Sequence, residues 1–362
     1  MPFSVPQMSR RAFLASSAGA ILVNALPGFA LSAAGGPRRI ILDTDPGVDD
    51  AMAIFLALRS PEVKVEAITT VAGNVPLSLT LPNALRLVEI AGRPDIPVAA
   101  GASAPMMRRL VTAKYAHGNN GLGGVEFPEP KLKAVNESAV ALISGIVHEN
   151  PGLITIVAVG PLTNVATALV SDPSLAAKIQ SIVVMGGSLN GGNITPSAEF
   201  NFYVDPEAAR IVFDAGIPLT MVGLNVTNRV QMHDEQIRVL EAAQNPVSQA
   251  AGKIMRTTLD RWQKERQLSG FGMHDPVTMA YVIDPTILTL KDCYVQIETA
   301  GELTAGESVA YSRAPRSSPP LINALPAAEL PDPEFKPNCK VAVEADSDKF
   351  FRLLLSRLTA SS

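Results

Sequence analysis

The sequence predicts an α/β fold: a single domain on a mostly parallel, open sheet flanked by helices. Three observations predict it. Short β-branched runs alternate with helical periodicities, each run stops at a polar or Gly-rich turn, and no internal repeat or linker divides the chain. The 362 residues are 47% hydrophobic and 18% charged, which allows a large core and argues against intrinsic disorder. A net charge of −4 does not suit a nucleic-acid polymer as partner, which calls for a basic face.

The first segment reads as an address. Ser9-Arg10-Arg11-Ala12-Phe13-Leu14 precedes a weakly apolar run broken by Gly19, Pro27 and Gly28 and closed by Ala30-Leu31-Ser32-Ala33-Ala34. A basic start, an apolar stretch and a small-residue end predict a cleaved export signal over residues 1–34, of the twin-arginine type. The run is too short and too interrupted for a membrane anchor. Its removal takes two arginines and no acid, so residues 35–362 carry a net charge of −6. A periplasmic protein with no membrane contact after signal removal is expected.

Strands are predicted over 39–42, 63–71, 153–159, 181–185 and 218–222, with helices over 49–59, 79–91, 138–149, 165–170 and 206–215. The strands end at Asp43-Thr44-Asp45, Ala72-Gly73-Asn74, Gly160-Pro161-Leu162-Thr163-Asn164, Gly186-Gly187-Ser188 and Gly223-Leu224-Asn225. In a parallel sheet all five turns share one rim, the rim where ligands bind. Beyond Asp234 a long helix is expected over 235–264 and short strands within 286–311. A Pro-rich surface loop over 319–337 and a final strand and helix within 341–358 complete the chain. Cys293 and Cys339 are too few for a disulfide scaffold or a Cys-based zinc site; they either pair or remain buried thiols.

Asp43-Thr44-Asp45-Pro46-Gly47-Val48-Asp49-Asp50 packs four carboxylates into eight residues with no Lys or Arg among them. Helix capping, with Asp45 at the N-cap and Pro46 first in the helix, accounts for one or two. Crowded carboxylates repel and raise one another's pKa unless a cation neutralises them. Oxygen donors without Cys and with few His suit Ca2+ or Mg2+ better than zinc.

This segment resembles the signature of the inosine–uridine type nucleoside hydrolases. Gly73-Asn74, His117-Gly118, Gly160-Pro161-Leu162-Thr163-Asn164, Met185-Gly186-Gly187, Glu199-Phe200-Asn201 and His274-Asp275-Pro276 follow in the family's order. The resemblance implies the nucleoside hydrolase fold, with its Rossmann-like core, over residues 35–362. It implies hydrolysis of the N-glycosidic bond of ribonucleosides to ribose and free base. Calcium (Ca2+) is implied at the carboxylates of Asp45, Asp50 and Asp275 and the backbone carbonyl of Thr163. Asp45 is implied as general base for the attacking water, which Asp49 and Asn74 position while touching the ribose. Asn193, Glu199 and Asn201 are implied at the ribose hydroxyls, with Asp275 and Met185 also against the sugar. His117 is implied on the base side, and His274 as proton donor to the departing base. Asp43 is implied to fix the turn, and a homo-dimer or homo-tetramer follows from the resemblance alone.

Each residue also has a plainer reading. Asn193 beside Gly191-Gly192 suits an ordinary turn, His117 an exposed loop, Met185 a core, and Asp275-Pro276 a helix start. Trp262, the only Trp, either stacks on a nucleobase or packs in the core. Asn228 follows Val226-Thr227 where family members often carry His, which leaves base preference open. His148 and His233 carry no assignment.

Two further function classes share these features. A haloacid-dehalogenase-like phosphatase also starts with Asp43-Thr44-Asp45 after a strand, but it expects Thr or Val where Gly47 stands. A periplasmic nucleoside- or ribose-binding protein without turnover uses the same fold. A nicotinamide dehydrogenase is disfavoured, because Gly186-Gly187 lacks the required Gly spacing and first-strand position.

Overall fold

Neighbouring residues along each central strand pack into opposite cores, and this alternation explains the layering. Ile40 and Leu42, Val157 and Val159, and Val183 and Met185 join one buried cluster. Ile41, Ile156, Ala158, Ile182 and Val184 join the other. A strand buried on both faces needs a helical layer on each side. The computed structural model describes residues 36–312 and 336–361, and the described residues from Pro37 on belong to one compact unit. The expected export signal lies outside the described residues, as does nearly all of the Pro-rich segment.

The first half runs β1 (Arg38–Thr44), α1 (Val48–Leu58), β2 (Val63–Thr70), α2 (Leu77–Ile90), β3 (Val98–Ala100), α3 (Lys114–His117) and α4 (Ala139–Glu149). It continues through β4 (Ile154–Ala158), α5 (Thr163–Ser171), β5 (Ser181–Met185), α6 (Phe200–Val204), α7 (Pro206–Asp214) and β6 (Leu219–Val222). Then come α8 (Leu224–Thr227), β7 (Gln231–His233), α9 (Asp234–Ala242), α10 (Pro246–Arg266), β8 (Gly270–Gly272) and α11 (His274–Ile283). The chain finishes with β9 (Leu288–Ile297), β10 (Ser308–Tyr311), β11 (Cys339–Ala345) and α12 (Ser347–Thr359).

Among the described residues, nine strands form one sheet in the order β10-β9-β11-β6-β5-β4-β1-β2-β3. All neighbours from β11 to β3 are parallel, while β9 is antiparallel to both β11 and β10. The predicted α/β class is therefore observed. Strand order reverses between β1 and β4: the chain first steps outward through β2 and β3, then the other way through β5 and β6. In such sheets the crevice beyond the carboxyl ends at that reversal is the ligand site. The acidic segment follows β1, directly beside it.

Four expectations are corrected in detail. The single helix over 235–264 is two, α9 and α10, because Pro246 has no N–H to continue α9 and Asn245 caps the new helix by accepting from Ser248 N. Asp45 is not the N-cap: α1 starts at Val48 with Gly47 as cap, and Asp50 accepts from the Gly47 N–H (2.9 Å). β3 was not anticipated, since three residues carry too little periodicity to register. Within 286–311 the first strand is ten residues long rather than short. Cys339 stands directly opposite Cys293 on β11 and β9, and both are buried free thiols.

Candidate active site

The acidic segment folds around Asp50. Its carboxylate accepts from the Thr44 hydroxyl (2.6 Å), the Gly47 N–H (2.9 Å), Asn74 Nδ2 (2.9 Å) and the Asp45 N–H (3.3 Å). Asn74 completes the tie from the end of β2: its N–H donates to Asp45 Oδ2 (2.7 Å) and its amide to the Asp45 carbonyl (3.2 Å). Asp43 accepts from the Thr69 hydroxyl and from Asn164 Nδ2, so it fixes the turn from below. Gly73 and Gly160 leave room for Asp45. A Cβ on Gly73 would fall 2.0 Å from Asp45 Oδ2, and one on Gly160 2.7 Å from Oδ1.

Asp275, in the first turn of α11, joins this cluster from the far end of the chain. Carboxylate oxygens of Asp49, Asp50 and Asp275 all lie within 4.8 Å of one another. Two oxygens bound to one Ca2+ ion at 2.3–2.6 Å stand at most about 5 Å apart, so this donor set fits such a cation. Burial raises Asp43 and Asp49 to about 7. It also pushes Asp45, Asp50 and Asp275 up, and repulsion from neighbouring acids adds to the shifts of Asp45 and Asp275. Asp45 Oδ1 is buried without a hydrogen-bond donor. Buried like charges and an orphaned carboxylate oxygen are the marks of a site built for a cation.

Asp50 and Asp275, both expected at the metal, come together with Asp49 as the third carboxylate; Asp45 is not among the three. Thr163, expected to offer its carbonyl to the metal, is the first residue of α5, and that carbonyl accepts from the Thr167 hydroxyl (2.6 Å). The carbonyl that meets a cavity residue at the end of β4 is that of Val159, which accepts from Asn201 Nδ2 (2.9 Å).

A cavity of about 360 Å³ opens above the acids. Asp49, Asn74, His117, Met185, Asn193, Glu199, Asn201, His274 and Asp275 all line it, whereas Asp45 and Asp50 lie behind the wall. Glu199 caps α6 by accepting from Asn201 N (2.8 Å) and Phe202 N (3.1 Å), and it also accepts from Gly187 N (3.0 Å). Burial nevertheless raises it to about 7. Asn201 donates to Val159 O and Met185 O, and Asn193 accepts from Phe200 N (2.9 Å), so these side chains are held by main chain. His117 is not a solvated loop residue. Its Nδ1 accepts from the Val48 N–H (3.1 Å), which leaves any ring proton of the neutral form on Nε2. His274 Nδ1 is 2.7 Å from the Thr227 hydroxyl. Burial lowers His117 to about 3 and His274 to about 4.

Another part of the cavity wall differs in character. Tyr115, Trp262, Arg266, Leu268 and Phe271 line it, together with Asn228 and Gln231. Trp262 packs against the core, as one of its two readings had it, and also lines the cavity. Tyr115, Gln231, Arg266 and Leu268 had no signal in the sequence: none sits in a motif, and only the meeting of α3, β7 and the end of α10 brings them together.

Comparison with known proteins now decides the family. A profile of the inosine-uridine preferring nucleoside hydrolases matches residues 40–352. The chain belongs to this family. A pyrimidine-specific ribonucleoside hydrolase, RihA of Salmonella paratyphi A, is 43% identical over 320 residues, covering 88% of this chain and 97% of its own length. A plant nucleoside hydrolase, PpNRh1, superposes with a TM-score of 0.81 at 35% identity over 90% of this chain and 100% of its own. A purine-preferring ribonucleoside hydrolase from Gardnerella vaginalis gives 0.78 at 31% identity over 89% and 98%. This nucleoside hydrolase is therefore an N-glycosyl hydrolase acting on ribonucleosides. Membership answers the phosphatase and the non-catalytic binding readings together.

Proposed function

We propose that this nucleoside hydrolase depends on Ca2+, held by the acidic cluster at the end of β1, and hydrolyses ribonucleosides in the cavity above it. The observation that carries the reading is the cluster itself: buried carboxylates with no Lys or Arg among them, open to a cavity lined by amides and acids. Asp45, Asp50 and Asp275 would hold the ion, with Asp49 beside them and the Val159 carbonyl in the place foreseen for that of Thr163. When bound, the cation supplies charge that keeps the carboxylates ionised and Lewis acidity toward water.

The remaining work belongs to the side chains. Asn74 and Asp49 orient the ribose, and Asn193, Glu199 and Asn201 bind its hydroxyls along the wall they already line. Asp45 takes the proton of the attacking water on Oδ1, the oxygen without a donor. Water adds to C1′ as the bond from C1′ to the base breaks; the electron pair leaves with the base, which ends protonated. His274 stands at the base side and relays that proton. The oxocarbenium-like sugar is stabilised by the surrounding carboxylates.

The reading extends to place and assembly. Ser9-Arg10-Arg11-Ala12-Phe13-Leu14 and its apolar run support twin-arginine export to the periplasm, and the family resemblance supports a homo-dimer or homo-tetramer. Cell fractionation of the full chain with Arg10 and Arg11 changed to Lys tests the first. For the activity, reducing-sugar release is measured on inosine, adenosine, guanosine, uridine and cytidine, alongside phosphate release from an aryl phosphate. Ribose from at least one nucleoside, no phosphate, and loss of turnover in Asp45→Ala are expected. Near-full turnover in Asp45→Ala would refute its role as base.

A further inference from the structure

Cys293 and Cys339, the only cysteines of the chain, take no part in the cavity. The fold nevertheless sets them directly opposite one another on the antiparallel pair β9 and β11. Opposed residues of such a pair have Cα atoms about 4.5–5.5 Å apart and side chains on one face of the sheet. A disulfide needs about 4.4–6.8 Å between Cα atoms, so the register itself supplies the spacing. Both thiols belong to the same buried cluster, as side chains on one face must. Asn338 pins this register from the residue before Cys339. Its N–H donates to the Cys293 carbonyl (3.1 Å). Its side chain accepts from Val295 N (2.7 Å) and donates to Val295 O (2.9 Å) and Phe213 O (3.3 Å).

Burial pushes both thiols up, so in the closed fold neither is the thiolate that disulfide exchange requires. The pair stands, however, where strands end. Cys339 is the first residue of β11, and the pairing of β11 with β6 starts only at Lys340. On the other side, β10 reaches along β9 only as far as Tyr294, the residue after Cys293. Among the described residues, β9 is therefore the edge of the sheet at Cys293. Opening a strand end locally costs much less than unfolding the whole domain.

We propose that Cys293 and Cys339 are a redox-sensitive pair, joined into an intramolecular disulfide by exchange with a low-molecular-weight disulfide. On local opening one cysteine loses its proton and attacks a sulfur of that disulfide, releasing one thiolate. The second cysteine then attacks the mixed disulfide at its partner's sulfur and releases the other thiolate. The two cysteines give up two electrons and two protons, and the external disulfide is reduced to two thiols. An oxidising compartment, to which the proposed export signal leads, holds such oxidants. The chemistry is independent of the hydrolase reading. The new bond closes a ring that contains β10. Ser308 of β10 donates to the Ser188 carbonyl and accepts from its N–H, both at 2.8 Å. Ser188 follows Gly187, whose N–H donates to Glu199 (3.0 Å). The staple thus restrains the strand behind the cavity wall at Glu199, and it stabilises chiefly by limiting the unfolded chain.

The test incubates the full chain with glutathione disulfide or with dithiothreitol. Thiols are then counted after denaturation, cross-linked peptides are mapped by mass spectrometry, and undenatured samples are melted. Oxidation should leave no free thiol, reduction should leave both, and the map should link Cys293 to Cys339 within one chain. The oxidised form should melt about 5 °C higher or more. Cys293→Ala and Cys339→Ala should each abolish that difference while releasing ribose as wild type does. Both thiols surviving prolonged oxidation, separate capping of each cysteine by glutathione, a cross-link between chains, or equal melting of the two wild-type forms would each overturn the proposal.

Discussion

Asp50 gathers donors from Thr44, Gly47, Asn74 and Asp45 while facing Asp49 and Asp275, so it both starts α1 and completes the acidic cluster. That double duty makes the two neighbours the better probes. Asp275→Asn removes one buried like charge and leaves the capping of α1 alone. In metal-free protein it should raise the melting temperature, and in the presence of Ca2+ it should lower turnover at least about a hundredfold; thermal melts and ribose release read both effects. Glu199 offers a test by pH. Burial raises it to about 7 from an ordinary 4.5, so the folded state holds a proton that the unfolded chain releases over that interval. Its contribution to stability is therefore lost as pH rises from about 4.5 to 7. Melting curves of Glu199→Gln should show a smaller decline across that window than wild type; parallel declines would contradict the shift. The acids of residues 43–50 were legible because they are adjacent in the chain and free of basic partners. Asp275, Glu199 and Asn201 were reached only through resemblance, since spacing alone cannot bring chain-distant residues to one rim. Arg266 and Tyr115 were not reached at all.

The five predicted strands appear within two residues of their expected ends because each is rich in β-branched residues and mostly buried, a pattern that survives without any partner information. The misses have local causes. The periodicity of α9 runs on into α10, and the break lies in one Asn-Pro step whose effect is geometric rather than periodic. Asn245 accepts from Ser248 N (2.9 Å) and donates to Leu358 O (2.9 Å), tying the start of α10 to the end of α12. Asn245→Ala should therefore cost about 1 kcal/mol or somewhat more, measured by denaturant unfolding, with kcat unchanged. The Thr163 carbonyl is likewise governed by its place at the start of α5. A residue one step inside a helix directs its carbonyl along the axis, whereas Val159, just past the end of β4, offers its carbonyl to Asn201 Nδ2.

Across the molecule, the reversal of strand order between β1 and β4 is what turns separate turns into one site. The ends of β1, β2, β4 and β5 deliver the acidic segment, Asn74, Val159 and Met185 to one cavity, and α11 closes it with His274 and Asp275. The frame also carries an electrostatic burden. Several carboxylates are buried at one point of a chain whose overall charge is only −4, a burden that the proposed cation would relieve. The most direct measurement is ribose release from uridine and inosine by protein stripped with a chelator and then titrated with Ca2+. Turnover should vanish on stripping and return in full at one equivalent of Ca2+ per chain. Full turnover in the stripped, verified metal-free protein would contradict the account.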